Sequence, residues 1–177
     1  KGEAFVGQPV KGDTPAKRRA GTTSAHQGEF WIGSYETIKS DRATGTLTSA
    51  SFKVTQPFAS FLIGGGSHKE TRVELVNSAD KTVIFKAHGQ NSESMRRVTA
   101  DLKKYRNQQI FIRIVDEHLG GWGHINFDDF KFHAEKPLVK PTRLSQTPIL
   151  KHLKPNPNQT KGVGHDTTAA MWMPKGF

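Results

Sequence analysis

The stretch IFIRIVDEHLGGWGHINFDDFKF, residues 110–132, sets two alternating apolar runs around a polar, glycine-rich loop. Alternation with period two is the signature of a strand with one buried face. Three glycines, a tryptophan and a histidine between two such runs predict a loop carried on a sheet, and binding groups concentrate in such loops.

The same reading extends outward over residues 29–132. Phe30-Trp31-Ile32 is a short apolar run. Residues 46–51 alternate, and Phe52-Lys53-Val54 follows. Residues 59–63, Ala-Ser-Phe-Leu-Ile, are continuously apolar enough for a central strand, and Gly64-Gly65-Gly66 is expected to end them. Residues 71–77, 82–86, 94–99, 109–116 and 126–133 complete eight or nine predicted strands. Helical periodicity is almost absent; residues 100–106 could make one short turn. The expected fold is all-β, an antiparallel β-sandwich of jelly-roll type. Its core should come from Phe52, Phe61, Ile63, Val73, Leu75, Ile84, Ile112, Ile114, Phe127 and Phe130.

Two segments fall outside this pattern. Residues 1–28 are rich in Gly, Lys, Pro and Thr, with only Ala4-Phe5-Val6 apolar enough for a core. The run Lys17-Arg18-Arg19 reads as solvated loop surface. Residues 136–177 hold six prolines, and those at 137, 141, 148, 155 and 157 interrupt any strand or helix. The expected domains are therefore a sandwich over residues 1–135 and a basic, extended tail over residues 136–177.

Charge divides along the same line. Residues 1–135 carry 19 Lys and Arg against 15 Asp and Glu, whereas residues 136–177 carry 7 against Asp166 alone. The basic character therefore belongs partly to the tail and favours anionic partners and surfaces without specifying a fold. The chain has no cysteine, which excludes disulfides and thiolate chemistry. No stretch approaches the roughly 18 apolar residues of a membrane span. The chain begins at Lys1 without a visible signal peptide, as expected of a processed product or a piece of something longer.

The loop between Asp116 and Asp129 is the leading site. A tryptophan among glycines can offer a ring face to a sugar, with His124, Asp116 and Arg72 or Glu74 left to bind hydroxyls. The competing reading makes Trp122 a core plug and His124 a brace for the turn. Asp128 and Asp129 should point to opposite faces of their strand, which does not supply the facing carboxylates that glycoside hydrolysis needs. A distant partner such as Glu74 or Asp116 stays open. The triple glycine lacks the order of a phosphate-binding loop; its structural alternative is a sharp turn beneath a bulky neighbour such as Trp122.

The eight histidines form no zinc-ligand spacing, and zinc is not expected. Calcium is the metal the composition best allows, through Glu29, Glu36, Asp41, Asp128 and backbone carbonyls. Basic residues at 96–97 and 103–106 are interleaved with acids and match no nucleic-acid motif, so nucleic acid is not an expected partner.

Several segments in order resemble carbohydrate-binding module family 66, the module found beside levanases and inside large planctomycete multidomain proteins. They are residues 2–9 (GEAFVGQP), 44–49 with Phe52, 61–66, Ile114-Val115-Asp116, and 120–125 with Asp128. The resemblance covers about residues 2–133. It implies a non-catalytic β-sandwich, in some members binding the terminal fructose of levan in a pocket of acidic, arginine and aromatic groups. The matching positions are Asp41, Arg72, Glu74, Asp116, Trp122 and His124.

This chain departs from the family at residues 75–83 and at Asp128-Asp129-Phe130, and it lacks the strand that often precedes the early Gly-x-Ala-Phe segment. An edge of the sandwich is thus expected to be missing or borrowed. Residues 173–177 resemble the opening of a propeller domain in planctomycete dehydrogenase-like and cytochrome-like proteins. The resemblance implies a glycan partner and a periplasmic, cell-envelope or extracellular setting. The alternative is a structural sandwich that joins other subunits through its tail or edge.

Overall fold

A computed structural model describes residues 1–138, so the expected tail lies, beyond Leu138, outside the described residues. The described residues form two antiparallel sheets packed face to face. The first has the order β1-β2-β10-β5-β8: β1 is Val10–Lys11, β2 Phe30–Gly33, β10 Ile125–His133, β5 Phe58–Gly65 and β8 Ser92–Asp101. The second has the order β3-β9-β6-β7: β3 is Gly45–Thr48, β9 Gln109–Asp116, β6 Thr71–Asn77 and β7 Val83–Ala87. Strand β4, Phe52–Lys53, also pairs with β9. The fold is all-β apart from α1 (Thr14–Arg18), α2 (Ser34–Ile38) and a 3-10 turn at Lys103–Tyr105.

Alternation fixes what each strand gives to the core. In β6, Val73 and Leu75 are fully buried between the sheets, opposite Ile114 and Ile112 of β9. In β5, Ala59, Phe61 and Ile63 meet them from the other sheet. Val54, Val98, Ala100, Leu102, Ile110, Ile125 and Phe127 complete this layer. Phe52, Ile84 and Phe130, expected as core residues, pack against it only half-buried.

Strand β5 is buried on both faces because a second layer covers its back. Leu62 packs with Met95 and Trp31, and Val10 closes over them. The Trp31 indole N–H donates to the Gly12 carbonyl at 2.9 Å. The amino-terminal segment is thus folded structure, with more of it inside than Ala4-Phe5-Val6: Val6 is exposed, while Pro15 and Ser24 are buried. Asp13 organises it by capping α1 and accepting from the Ser24 N–H at 2.9 Å. A short polar acceptor at a helix start satisfies otherwise unpaired backbone donors.

Two expectations about loops change. The glycines at 64–66 do not end β5, which continues through Gly65, and the Gly66 N–H donates to the His124 carbonyl at 2.8 Å. They lie against the Trp122 loop, since a Cβ on Gly66 would collide with the Trp122 carbonyl. Asp128 and Asp129 do not simply alternate, because β10 is irregular between Asp128 and Lys131 and Asp129 has a φ of 52°. Asp128 accepts from the Gln27 N–H at 2.6 Å, while Asp129 pairs with Arg97 and with Lys131.

Candidate functional site

At one end of the first sheet, loops and short helices enclose an open cleft of about 910 Å³, the size of a small-molecule site. Arg18, Tyr35, Asp41, Glu93, Trp122 and His124 line it. They come from several separate parts of the chain. Arg18 ends α1, Tyr35 lies in α2, Asp41 follows α2, Glu93 stands on β8, and Trp122 and His124 precede β10.

His124 is the centre of the cluster and is only 4% exposed. Its Nδ1 lies 2.8 Å from the Asp41 carboxylate. Its Nε2 lies 3.5 Å from Glu93, an ion-pair separation too long for a good hydrogen bond. Burial works against the charged ring, but Glu93 and then Asp41 outweigh it and hold the His124 pKa above its ordinary value. Glu93 shows the reciprocal effect. Burial opposes its charge, but His124 and then Arg18 bring its pKa down to about 2.

Arg18 is far from a solvated loop residue. One side of its guanidinium grips Glu36 at 2.7 Å, the other meets Glu93 at 2.6 Å, and its plane covers the Tyr35 ring at 4.6 Å. Tyr35 and Trp122 flank His124, with ring centroids 5.6 and 5.5 Å from the imidazole. Trp122 is 36% exposed, so it is neither a core plug nor free in solvent. Its backbone has a φ of 61°, a left-handed conformation that the tightly packed loop enforces.

Gly123 explains that packing. A Cβ there would collide with the Asp41 carbonyl and lie 2.6 Å from the carbonyl oxygens of Gly120 and His118. We expect Gly123→Ala to cost about 1–3 kcal/mol, as overpacking does, and to displace the Trp122 ring. A chemical melt monitored by tryptophan fluorescence tests both, and unchanged stability and emission would refute it.

Asp116 ends β9 and lies behind the cleft, 1% exposed and outside its lining. One of its oxygens has no hydrogen-bond partner. Burial pushes its pKa up to about 6, and the Asp41 charge adds to this against contacts from Ser34, His124 and the His118 N–H.

The six residues expected to form one site fall in two places. Asp41, Trp122 and His124 share the cleft, with Asp116 behind it. Arg72 and Glu74 are not among its lining residues. They stand on the outer face of β6, where Glu74 accepts from Arg72 and Arg113, each at 2.6 Å, and Arg72 also reaches Glu117 at 3.2 Å. Alternation requires this, since Val73 and Leu75 occupy the inner face. The arginines that line the cleft are instead Arg18 and Arg19, and of these Arg18 is the one paired with Glu93. Arg18, Tyr35 and Glu93 carry no local sequence signal, because only long-range docking of the amino-terminal segment unites them.

The four acids expected to hold calcium do not assemble. Glu29 pairs with Lys11, Glu36 with Arg18, Asp41 with His124, and Asp128 with the Gln27 N–H. Among the described residues, the side chains that come together in metal-binding fashion are instead His68, Glu70 and His118. Spacing along the chain hides them because two separate loops supply them.

The fold and cleft define a two-sheet antiparallel sandwich with a charged, aromatic-flanked depression at one end. No known family model matches the chain. It is 32% identical over 132 residues to the putative glycosyl hydrolase ecdE of Aspergillus rugulosus, covering 74% of this chain and 18% of that protein. The chain thus spans less than a fifth of that relative's length. Among solved structures, the C-terminal extracellular domain of Mycobacterium tuberculosis EmbC aligns with a TM-score of 0.47 and 16% identity, over 78% of this chain and 56% of that one. A cyclase from Fischerella sp. TAU aligns with a TM-score of 0.34 and 20% identity, over 59% of this chain and 62% of that one. Among the described residues, no helix is long and apolar enough to cross a membrane.

Proposed function

We propose that this chain is a non-catalytic glycan-binding module that holds a terminal sugar in the Trp122–His124 cleft. The observation that carries this reading is the half-exposed Trp122 ring beside charged groups already fixed by one another. A sugar ring presents C–H faces to an aromatic and hydroxyls to charged donors and acceptors. Here Asp41, His124, Glu93 and Arg18 are held in place before any ligand arrives, which lowers the ordering cost of binding.

The same electrostatics argue against hydrolysis. A glycosidase needs one carboxyl protonated near neutrality as a general acid. Glu93 is ionised above a pKa of about 2, Asp41 is paired with His124 at 2.8 Å, and Asp116, whose pKa is high enough, is buried outside the cleft lining. Similarity to a stretch of a glycosyl hydrolase supports an accessory role beside a catalytic domain, and the resemblance to carbohydrate-binding module family 66 favours an envelope or extracellular setting. Tethering makes even weak binding useful, because linkage raises effective concentration. The resemblance to carbohydrate-binding module family 66 favours a terminal fructoside. Asp41, Trp122 and His124 are the proposed contacts, joined by Arg18 and Glu93, with Asp116 as support.

Calorimetric titration of the full chain with fructose, levan and inulin, with and without calcium, tests this. Saturable binding should weaken by roughly tenfold or more in folded Trp122→Ala, about 1.4 kcal/mol or greater. Flat traces from folded wild-type protein would overturn the fructoside reading and turn attention to protein partners of the sandwich.

A further inference from the structure

We infer that His68, Glu70 and His118 form a binding site for zinc or a similar late first-row divalent cation. The ligand atoms of the three side chains all lie within 4.8 Å of one another. His68 and Glu70 belong to the loop between β5 and β6, and His118 to the loop between β9 and β10. The two imidazoles lie face to face, with centroids 3.6 Å apart and planes 13° apart, so one ring must turn about its side-chain bonds for both in-plane lone pairs to meet on one ion.

The hydrogen bonding around His68 points to a ligand. Its Nε2 lies 3.2 Å from the Gly121 carbonyl oxygen. A carbonyl only accepts, so Nε2 carries the proton and Nδ1 keeps a free lone pair. Metal-bound histidines have this arrangement, one nitrogen on the ion and the other N–H on a carbonyl or carboxylate. Backbone bonds fix the base of the site. The Glu117 N–H donates to the Glu70 carbonyl at 3.1 Å, and the Thr71 N–H donates to the His68 carbonyl at 3.1 Å. Glu70 has only a 3.8 Å contact with the exposed Lys69 to give up.

Two imidazole nitrogens and one carboxylate oxygen suit zinc better than calcium or magnesium, which favour all-oxygen sites. Three protein ligands leave a fourth tetrahedral position for water. An ion there would fasten the loop carrying Gly121 and Trp122 to the loop that follows the triple glycine. This assignment is independent of the glycan reading.

The test is calorimetric titration of the full chain, freed of any histidine tag, with zinc chloride and separately with calcium chloride. Wild-type protein should bind one zinc per chain and take up no calcium at this site. Glu70→Gln, His68→Ala and His118→Ala should each weaken zinc binding by roughly tenfold or more. Glu70→Gln is the nearly isosteric change least able to disturb the fold, and circular dichroism checks each variant. Absence of zinc uptake by folded wild-type protein would overturn the assignment. So would equal affinity in all three folded variants, which would move the ion to other histidines such as His152 or His165. Zinc titration contains no sugar, so its failure and that of the glycan titration are read separately.

Discussion

Phe61→Ala should lower the unfolding free energy by about 3–5 kcal/mol, the range for deleting a large buried aromatic. Phe61 sits at the middle of β5, fully buried, with ring centroids of Phe127, Phe85 and Phe130 at 5.4, 6.1 and 6.4 Å. Phe85 belongs to the opposite sheet, so the Phe61 ring is a direct tie between layers. The site cannot readily collapse around an alanine. β5 is held by hydrogen bonds on both sides, to β10 and β8, and the facing sheet is held by its own register. A loss of this size is a large share of the roughly 5–15 kcal/mol that holds a typical domain together. Urea unfolding of the two proteins measures it, and a difference below about 1 kcal/mol would show that Phe61 is not a central tie.

Asp116→Asn should act in the other direction, raising stability at neutral pH by up to about 3 kcal/mol. The folded-state pKa of Asp116 is raised from 3.8 to about 6. The folded protein therefore holds this proton more tightly than the unfolded chain does. The contribution of the group is fully present below about pH 4 and is lost as pH rises through about 6. Above that, a buried charge with one unpartnered oxygen is a standing cost, and a displacement of about two pKa units corresponds to about 3 kcal/mol. Asparagine keeps the shape and carries no charge. His124 supplies an internal control. Its raised pKa also makes stability fall with rising pH, but in a window that begins above the ordinary histidine value. Unfolding curves from pH 4 to 8 should therefore show that the variant loses the slope between about 4 and 6 and keeps the fall at higher pH. An unchanged slope in the lower window would refute the assignment to Asp116.

The strands most legible in the sequence are those whose environment is most uniform. The ranges 71–77 and 109–116 match β6 and β9 residue for residue, because each has a clear inner face. The unbroken apolar run of β5 marks a strand covered on both faces. Strand β1 and helices α1 and α2 carry little signal in the sequence. Each has five residues or fewer, and only Asp13 and Pro15 signal the first of the helices. Phe52, Ile84 and Phe130 are strongly apolar, yet they sit at the rim of the core, where composition alone cannot separate them from Phe61.

Legibility at the cleft follows distance along the chain. Trp122 and His124 belong to one loop and are visible together. Asp41 joins them from 83 positions away from its partner His124, and Glu93 is reached by Arg18 from 75. No local pattern reports such pairings. The outward placement of Arg72 and Glu74 was available from alternation, since the residues between and after them are apolar and point inward.

The fold of the amino-terminal segment also sets how this module could be transplanted. Strand signals alone would place its start near Glu29, and a piece cut there would retain nearly every ladder of the two sheets. It would lose Arg18, expose the Glu93 carboxylate on one side, and uncover the Trp31–Leu62–Met95 layer. A fusion protein made from such a piece would carry a recognisable sandwich with only part of the cleft wall. Portability here belongs to the whole wrapped unit, because residues 18–23 supply part of the cleft wall.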